Sequence, residues 1–208
     1  MELLIPDFEI VGAVGSGCSA VWTSTVSGVE RAAGLGYGLR DVFYLPEERD
    51  APVAVPDKCR PVVSSLVQLQ QIDRAAAEAC GGLVSVGLRI VPTGFHASPG
   101  IPADELAEIA RALPSLSSVT VRGCFACGDL SGLHGKQLGR FFRACYETAK
   151  IMTVTLPCAM PYLCVEGGMA ALAYNQKEHP ETLADAVTSA QIVAMQNSTA
   201  FYARLLIT

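Results

Sequence analysis

The chain has 208 residues, about the length of one domain, and half of them are apolar while only 17% are charged. This composition excludes a disordered chain, because disorder requires low hydrophobicity and high net charge. The net charge of −5, with no basic patch along the sequence, excludes nucleic acid as an expected partner. We therefore expect a single globular domain over residues 1–208.

The sequence predicts a cytoplasmic location. No uninterrupted apolar run reaches the ~18 residues that a membrane helix needs, so no membrane partner is expected. The N-terminal segment contains Glu2, Asp7 and Glu9 without a basic cluster, which argues against a signal peptide. In that compartment the eight cysteines are expected to be thiols rather than disulfides. The excess of apolar residues predicts burial against a second copy, a homo-oligomer.

Short apolar and β-branched runs of strand length recur along the chain, with glycine or proline near many of their ends. The runs that we interpret as strands are Phe8–Val14, Ala20–Val26, Asp41–Leu45, Arg60–Ser64, Leu83–Val91, Ser118–Val121, Met152–Leu156 and, less distinctly, Ile192–Met195. The run Leu83–Val91 is almost continuously apolar, which is typical of a strand in a parallel sheet that is covered on both faces.

Segments with helical spacing alternate with these runs. The clearest is Ser65–Cys80, where Leu66, Leu69 and Ile72 fall on one helix face. Further helices are predicted at Gly28–Gly38, Pro102–Leu113, Gln137–Ala149 and Met169–Tyr174, and Leu183–Ser189 fits either a helix or a connection. About six alternations of strand and helix predict an α/β fold with a mostly parallel sheet. Periodicity alone leaves open whether six or seven strands form an open sheet or a barrel.

Three motifs in the middle of the chain are shared with a known family. VVSSLVQLQQI resembles a strand followed by an S-x-x-x-L helix start, and VGLRIVP resembles V-G-L-R-I-N-P. SPGIPADELAEI, followed by LPSLSSVTVRG, resembles a K-x-G-I-x-x-E-L helix and the strand after it, and the tail NSTAFYARLL is weakly similar to G-T-A-I-F-G-A-R. Through these motifs residues 62–126 resemble the fold-type III pyridoxal-phosphate barrels, the group of alanine racemase, the diaminopimelate and ornithine decarboxylases and the pyridoxal-phosphate homeostasis proteins. The resemblance implies an incomplete or modified TIM-like (β/α) barrel.

The resemblance also implies pyridoxal phosphate, which the family holds as a Schiff base on a lysine of its first barrel strand. None of the four lysines, Lys58, Lys136, Lys150 and Lys177, lies on a predicted strand in the first half of the chain. The family's S-x-G-M-S phosphate turn corresponds here to Pro157–Pro161, where proline removes N–H donors. Only the segment Asn197, Ser198 and Thr199 keeps phosphate-donor character. The expected protein is a degenerate barrel without the reactive lysine.

Two cysteine pairs follow predicted strands. Cys124 and Cys127 form C-x-x-C, and Cys158 and Cys164 form C-x5-C. Because the ends of neighbouring parallel strands lie side by side, four thiolates could converge there on zinc or an iron–sulfur cluster. The C-x-x-C motif alone also suits a redox or nucleophilic cysteine. The alternative is that these thiols pack as small hydrophobic side chains.

Several polar residues complete the set of candidates. Asp129 and His134 follow the C-x-x-C motif and would serve as acid and base beside Cys124 and Cys127. His96 lies in the loop after Leu83–Val91 and is a candidate ligand contact. Glu166, before two glycines, is a further possible acid or base.

Arg89 is the most unusual of the candidate ligand contacts. It is a charge within an otherwise apolar strand, so it must be paired or must reach the edge of the sheet. The resemblance places the corresponding arginine of the family near the cofactor.

The primary hypothesis is a barrel that is non-catalytic, or that uses chemistry other than a Schiff base. It would bind a small anionic or amino-acid-like ligand at the carboxyl ends of its strands. Two alternatives stay open. One is a cysteine-dependent or metal-dependent enzyme that uses the two cysteine pairs. The other is a genuine pyridoxal-phosphate racemase or homeostasis protein whose lysine comes from an unexpected position or from another chain.

Overall fold

The computed structural model describes residues 2–6, 20–38, 41–46, 59–79, 82–97, 99–157, 162–201 and 204–207. The strands are β1 (Glu2–Pro6), β2 (Ala20–Thr23), β3 (Val42–Tyr44), β4 (Arg60–Val63), β5 (Val84–Val91), β6 (Ile101–Pro102), β7 (Val119–Ala126), β8 (Tyr162–Val165) and β9 (Arg204–Ile207). The helices are α1 (Val26–Gly34), α2 (Leu66–Glu78), α3 (Leu106–Ala112), α4 (Gly135–Thr155), α5 (Gly168–Glu178) and α6 (Leu183–Phe201). Short 3₁₀ turns at Ala103–Glu105 and Leu113–Ser115 flank α3.

All of the strands pair in parallel, in the order β4-β3-β2-β1-β9-β8-β7-β5-β6. β4, the first strand of this order, also pairs with β5. The strands other than β6 therefore close into a ring. Among the described residues six α-helices surround the ring, where a complete TIM barrel has eight. The predicted fold class, a mostly parallel α/β sheet in a modified TIM-like barrel, is confirmed.

The interior of the ring is filled by aromatic side chains. Phe43, Phe125 and Tyr162 belong to one buried cluster and meet edge to face, with ring centroids 4.9 to 5.6 Å apart. Tyr162 fits against β5 and β7 because both strands carry a glycine there. A Cβ atom on Gly87 would lie 2.9 Å from the Tyr162 hydroxyl, and one on Gly123 would lie 2.1 Å from its ring. The interior of the ring is therefore a packed core and not an open channel.

The helices cover the outer face of the ring through apolar stripes. In α4 the buried residues include Leu138, Phe141, Cys145, Ala149 and Met152, which recur every three or four positions as on one face of a helix. At the start of α2, the Ser65 hydroxyl accepts a hydrogen bond from the backbone N–H of Gln68. The Gln68 side chain in turn accepts one from the N–H of Ser64. This reciprocal cap fixes where the helix begins after β4.

Two predicted strands are wrong. The segment Met152–Leu156 lies at the end of α4 rather than in the sheet, and Ile192–Met195 lies within α6. In both segments burial follows the helical period. Val154 is 88% exposed and Met195 is 65% exposed, although the β-branched residues in both segments favour strands in isolation. Packing against the barrel decides the conformation here, because it selects the period of the buried residues rather than their average hydrophobicity.

Most of the other predicted strands agree with the structure. Those at Asp41–Leu45, Arg60–Ser64 and Leu83–Val91 are confirmed within a residue or two as β3, β4 and β5. Four strands, β1, β6, β8 and β9, were not predicted. The predicted strand Phe8–Val14 lies outside the described residues. In the part of the chain that the structure describes, no helix is both long and apolar enough to span a bilayer.

Candidate functional site

Three neighbouring strands, β5, β7 and β8, end at the same side of the barrel, which we call the mouth. Arg89 lies near the end of β5, Cys127 directly follows β7, and Glu166 directly follows β8. Backbone hydrogen bonds extend the sheet past the last paired residues. Cys127 N–H donates to the Ile90 carbonyl and Glu166 N–H donates to the Ala126 carbonyl, both at 2.9 Å. These bonds hold the three side chains at adjacent positions of the mouth.

Arg89 and Glu166 form a bidentate ion pair. The Arg89 Nε donates to Glu166 Oε2 at 2.7 Å, and Nη2 donates to Oε1. The side chains are 14% and 24% exposed, so the pair is only partly screened by solvent. Burial lowers the pKa of Arg89, but the Glu166 carboxylate and the neighbouring Cys127 together raise it, and the net shift is upward. Arg89 therefore stays charged and finds the partner that its place in an apolar strand required.

Cys127 lies beneath this pair as a buried thiol. Its Sγ is within 3.5 Å of the Ile90 carbonyl, to which it donates, and only 2% of the residue is exposed. Burial, together with the charge of Glu166, raises the pKa of the Cys127 thiol to about 12, despite the opposing effect of Arg89. A nucleophilic or metal-binding cysteine requires the thiolate. At neutral pH Cys127 is thus a protonated packing group.

Cys124 and Cys164 lie on opposite faces of the sheet. Cys124 belongs to the cluster between the ring and the helices, whereas Cys164 belongs to the cluster inside the ring. Neighbouring residues of a strand point to opposite faces, and Cys164 pairs in register with Phe125 rather than with Cys124. Among the described residues no group of three or more histidine, cysteine, aspartate or glutamate side chains could hold a metal ion. Cys158 lies outside those residues.

A cavity of about 280 Å³ opens at the mouth. Its lining includes Arg89, Glu166, Cys127 and Asp129. Asp129 is an exposed carboxylate whose Oδ1 accepts a hydrogen bond from Ser131 N–H at 2.9 Å, and hydrogen bonds from Ser131 lower its pKa. The formal charges of Arg89, Asp129 and Glu166 sum to −1. The cavity is therefore not a simple anion site.

The remaining candidates lie elsewhere. His96 is exposed in the loop after β5, and its backbone carbonyl accepts a hydrogen bond from Asp129 N–H. It lines a different cavity from the one at the mouth. His134 precedes α4 and stacks on His179, with the ring centroids 4.4 Å apart. The structure therefore brings Arg89, Cys127 and Asp129 together but not the two histidines.

The segment Asn197, Ser198 and Thr199 lies in the last turns of α6, which leads into the start of β9. All strands of the ring are parallel, so the start of β9 lies at the end of the barrel opposite the mouth. Asn197 is buried there, and Ser198 and Thr199 are exposed. This segment and Arg89 are thus at different ends of the molecule.

The described residues do not fit pyridoxal phosphate held as a Schiff base. None of the strands that the structure describes contains a lysine. Lys136 and Lys150 lie on α4, and Lys177 lies on α5 beside Glu178. All three are exposed helix residues outside the ring, and Lys58 lies outside the described residues. At the mouth the described charged groups are instead the ion pair and Asp129.

Sequence comparison finds no matching family model and no similar curated protein. Comparison of folds finds clear neighbours. The arginine decarboxylase of Paramecium bursaria Chlorella virus superimposes with a TM-score of 0.69 at 11% identity, over 100% of this chain and 56% of that one. A point mutant of diaminopimelate decarboxylase from Helicobacter pylori, in complex with L-lysine, gives a TM-score of 0.69 at 12% identity, over 99% of this chain and 56% of that one.

A third neighbour comes from a different reaction class. D-threo-3-hydroxyaspartate dehydratase from Delftia sp. HT23 gives a TM-score of 0.61 at 19% identity, over 83% of this chain and 50% of that one. The chain thus spans little more than half the length of its neighbours. The expected resemblance to the fold-type III barrels is confirmed for the fold.

Proposed function

We propose that the protein binds a small amino-acid-like molecule at the mouth and does not form a Schiff base with it. The observation that carries the proposal is the 280 Å³ cavity at the carboxyl ends of β5, β7 and β8, whose charged lining residues are Arg89, Asp129 and Glu166. Sites of α/β barrels form at this end of the strands, where side chains from several strands converge.

The charges at the mouth suit a ligand that carries both an amine and a carboxylate. A guanidinium has five N–H donors, and Arg89 uses two of them for Glu166 and also interacts with Cys127, which leaves donors for a ligand carboxylate. The exposed carboxylate of Asp129, with Glu166, can accept from a ligand ammonium. Because the three groups sum to −1, a ligand with an amine is favoured over the simple anion that was the other expectation.

Two structural neighbours are known in complex with amines. The viral arginine decarboxylase has been described with agmatine, and the Helicobacter pylori diaminopimelate decarboxylase with L-lysine. The fold of this chain, the position of the cavity and its charge support an amine ligand here as well. Activity of the whole neighbours is not transferred with it, because the described residues supply no lysine at the mouth.

The experiment compares three small molecules by calorimetric titration. L-alanine carries both groups, ethylamine lacks the carboxylate, and propionate lacks the amine. We expect L-alanine to bind most tightly, ethylamine more weakly, and propionate least. Asp129→Asn, which keeps the acceptor for Ser131, should weaken L-alanine and ethylamine. The matched control is Asp104→Asn, at an exposed aspartate that does not line this cavity. Equal affinities in the two variants, or no L-alanine binding to the native protein, would refute the proposal.

The alternative with a covalently held cofactor has its own test. The protein is incubated with pyridoxal phosphate, reduced with borohydride and mapped by mass spectrometry. We expect only scattered, substoichiometric labelling of surface lysines. A single lysine labelled to one equivalent per chain would show a Schiff-base site and overturn the proposal.

Cytoplasmic location, assembly with a second copy and a single domain over residues 1–208 stay predictions.

A further inference from the structure

A second and larger cavity adjoins the mouth. Its volume is about 560 Å³, and it lies between the loop Gly128–Gly132 and the first turns of α5. Gly128, Asp129 and Gly167 line both this cavity and the mouth cavity, so the two cavities are adjacent. We call this second cavity the side cleft.

The side cleft differs from the mouth in its chemistry. Its walls are formed by Leu130, Ala170, Ala171 and Tyr174, together with glycines and Ser131. The one charged side chain among its described lining residues is Asp129, at the junction with the mouth. A ligand whose ammonium binds Asp129 would therefore project the rest of its structure either into the polar mouth or along this apolar wall.

The aromatic wall of the side cleft is held in place by neighbouring rings. Tyr174 meets His179 edge to face, with centroids 5.9 Å apart, and His179 in turn stacks on His134 at 4.4 Å. His134 precedes α4, and His179 ends α5, so the stack ties the two helices together beside the cleft. Tyr174 is nevertheless 46% exposed, which leaves ring surface available for contact.

We propose that the side cleft receives an apolar side chain, aromatic or branched aliphatic, of the amino-acid-like ligand bound at the mouth. This inference rests on the proposed function and adds the ligand's class. The native ligand is a hydrophobic amino acid or a close derivative of one. The shared lining of the two adjacent cavities, the presence of Asp129 in both and the apolar wall beyond it carry the proposal. A basic side chain would instead place a second ammonium against Leu130, Ala170 and Ala171.

The test compares L-phenylalanine with L-alanine, which differ by one phenyl group. We expect L-phenylalanine to bind about tenfold more tightly, since partial burial of a phenyl ring at ~25 cal/mol per Å² yields about that gain. L-lysine should show no such gain over L-alanine. If L-lysine gains and L-phenylalanine does not, the cleft takes a polar chain and the inference is overturned.

A matched pair of variants locates the effect. Ala170→Trp places a large side chain at an exposed position that lines the side cleft, and Ala107→Trp does the same at an exposed position near the start of α3. Ala170→Trp should abolish the tenfold preference for L-phenylalanine and leave L-alanine binding unchanged, and Ala107→Trp should change neither. Tyr174→Ala is a second variant and should reduce the preference by removing the aromatic wall.

The outcomes separate the inference from the proposed function. If L-alanine does not bind, the proposed function fails and takes this inference with it. If L-alanine binds and L-phenylalanine binds no better, only the inference is overturned. The inference is also overturned if the preference survives unchanged in both Ala170→Trp and Tyr174→Ala.

Discussion

The substitution Gly123→Ala tests how the barrel interior is packed. Gly123 lies in β7 with a φ of +151°, a conformation that side chains with a Cβ rarely adopt. An added Cβ would lie 2.1 Å from Cζ of Tyr162 and 2.6 Å from its hydroxyl. The Tyr162 ring has no room to move away, because it is 3% exposed and meets Phe43 and Phe125 at 4.9 and 5.6 Å.

The expected loss of stability has two parts. A non-glycine residue held at a strained positive φ costs about 1–3 kcal/mol. Overpacking a buried ring that cannot move costs about 1–3 kcal/mol more. The free energy of unfolding should therefore fall by about 2–6 kcal/mol, a large share of the 5–15 kcal/mol typical of a folded domain. The measurement is urea denaturation followed by circular dichroism.

Two further variants separate the parts. Gly132 also has a positive φ, +73°, but nothing lies within 4 Å of the point that an added Cβ would occupy, so Gly132→Ala should show the backbone part alone, about 1 kcal/mol. In the double variant Gly123→Ala/Tyr162→Leu the clash is removed, which predicts a favourable coupling of about 1–3 kcal/mol in the mutant cycle. Equal losses for the two glycines, or no coupling, would refute the packing argument.

The remaining predictions concern the ion pair, a helix cap and two thiols. Arg89→Met should lower the free energy of unfolding by about 2–4 kcal/mol because it leaves Glu166 partly buried without its partner, and Arg89→Met/Glu166→Met should recover most of that loss; similar losses in both would contradict the pairing. Ser65→Ala removes the cap of α2 and should cost about 1 kcal/mol in thermal or urea denaturation, whereas no loss would show that the cap does not stabilise the fold. Burial raises the pKa of Cys59 and of Cys127 from 9.0 to about 12, so the folded protein keeps protons that the unfolded chain releases. Stability should therefore fall from pH 9 towards 12 by about 1.4 kcal/mol per pH unit for each thiol, and Cys127→Ala should make the fall shallower; an identical slope would mean that Cys127 does not titrate in this way.

The fold was predictable where local pattern and tertiary packing agree. The continuous apolar run that became β5 and the helical stripe that became α2 each have one period, and each was identified correctly. The last turn of α4 shows the opposite case. Met152 continues the buried stripe of Cys145 and Ala149, while Val154 faces solvent, but the letters MTVTL favour a strand when they are considered alone. The helical conformation of this segment becomes evident only when it is considered as the continuation of α4.

The candidate site was predictable in part. A charge within an apolar strand requires a partner, and for this reason Arg89 could be identified from the sequence. Its partner is Glu166, 77 residues further along the chain, because β5, β7 and β8 are neighbours in the ring. The order of strands in a sheet is not a local property of the sequence, so Glu166 was considered only as a possible acid or base. Tyr174 and the side cleft had no sequence signal at all.

The cysteine hypothesis shows why spacing alone is insufficient to define a site. The two cysteine pairs were expected to converge because both follow segments that were predicted as parallel strands, although the segment before Cys158 is the end of α4. Convergence also requires that the side chains point to the same face, and this depends on the register between strands. The pairing of Phe125 with Cys164 places Cys164 inside the ring and Cys124 outside it. A shift of one residue in register would have placed Cys164 on the same face as Cys124, and the spacing of the cysteines does not specify that register.

The charges at the mouth imply a different means of ligand selection from that of a Schiff-base barrel. A Schiff-base barrel would hold its ligand through a covalent bond, which requires an uncharged amine at the moment of reaction. Arg89, Asp129 and Glu166 instead offer only reversible charged contacts, and two of the three already satisfy one another. Such contacts provide orientation but modest affinity, because the ligand must compete with the ion pair and with water. Most of the binding energy of such a ligand would then come from apolar surface, and the side cleft supplies apolar walls next to the mouth. The preference for L-phenylalanine over L-alanine therefore tests whether apolar burial, rather than charged contacts, supplies most of the binding energy.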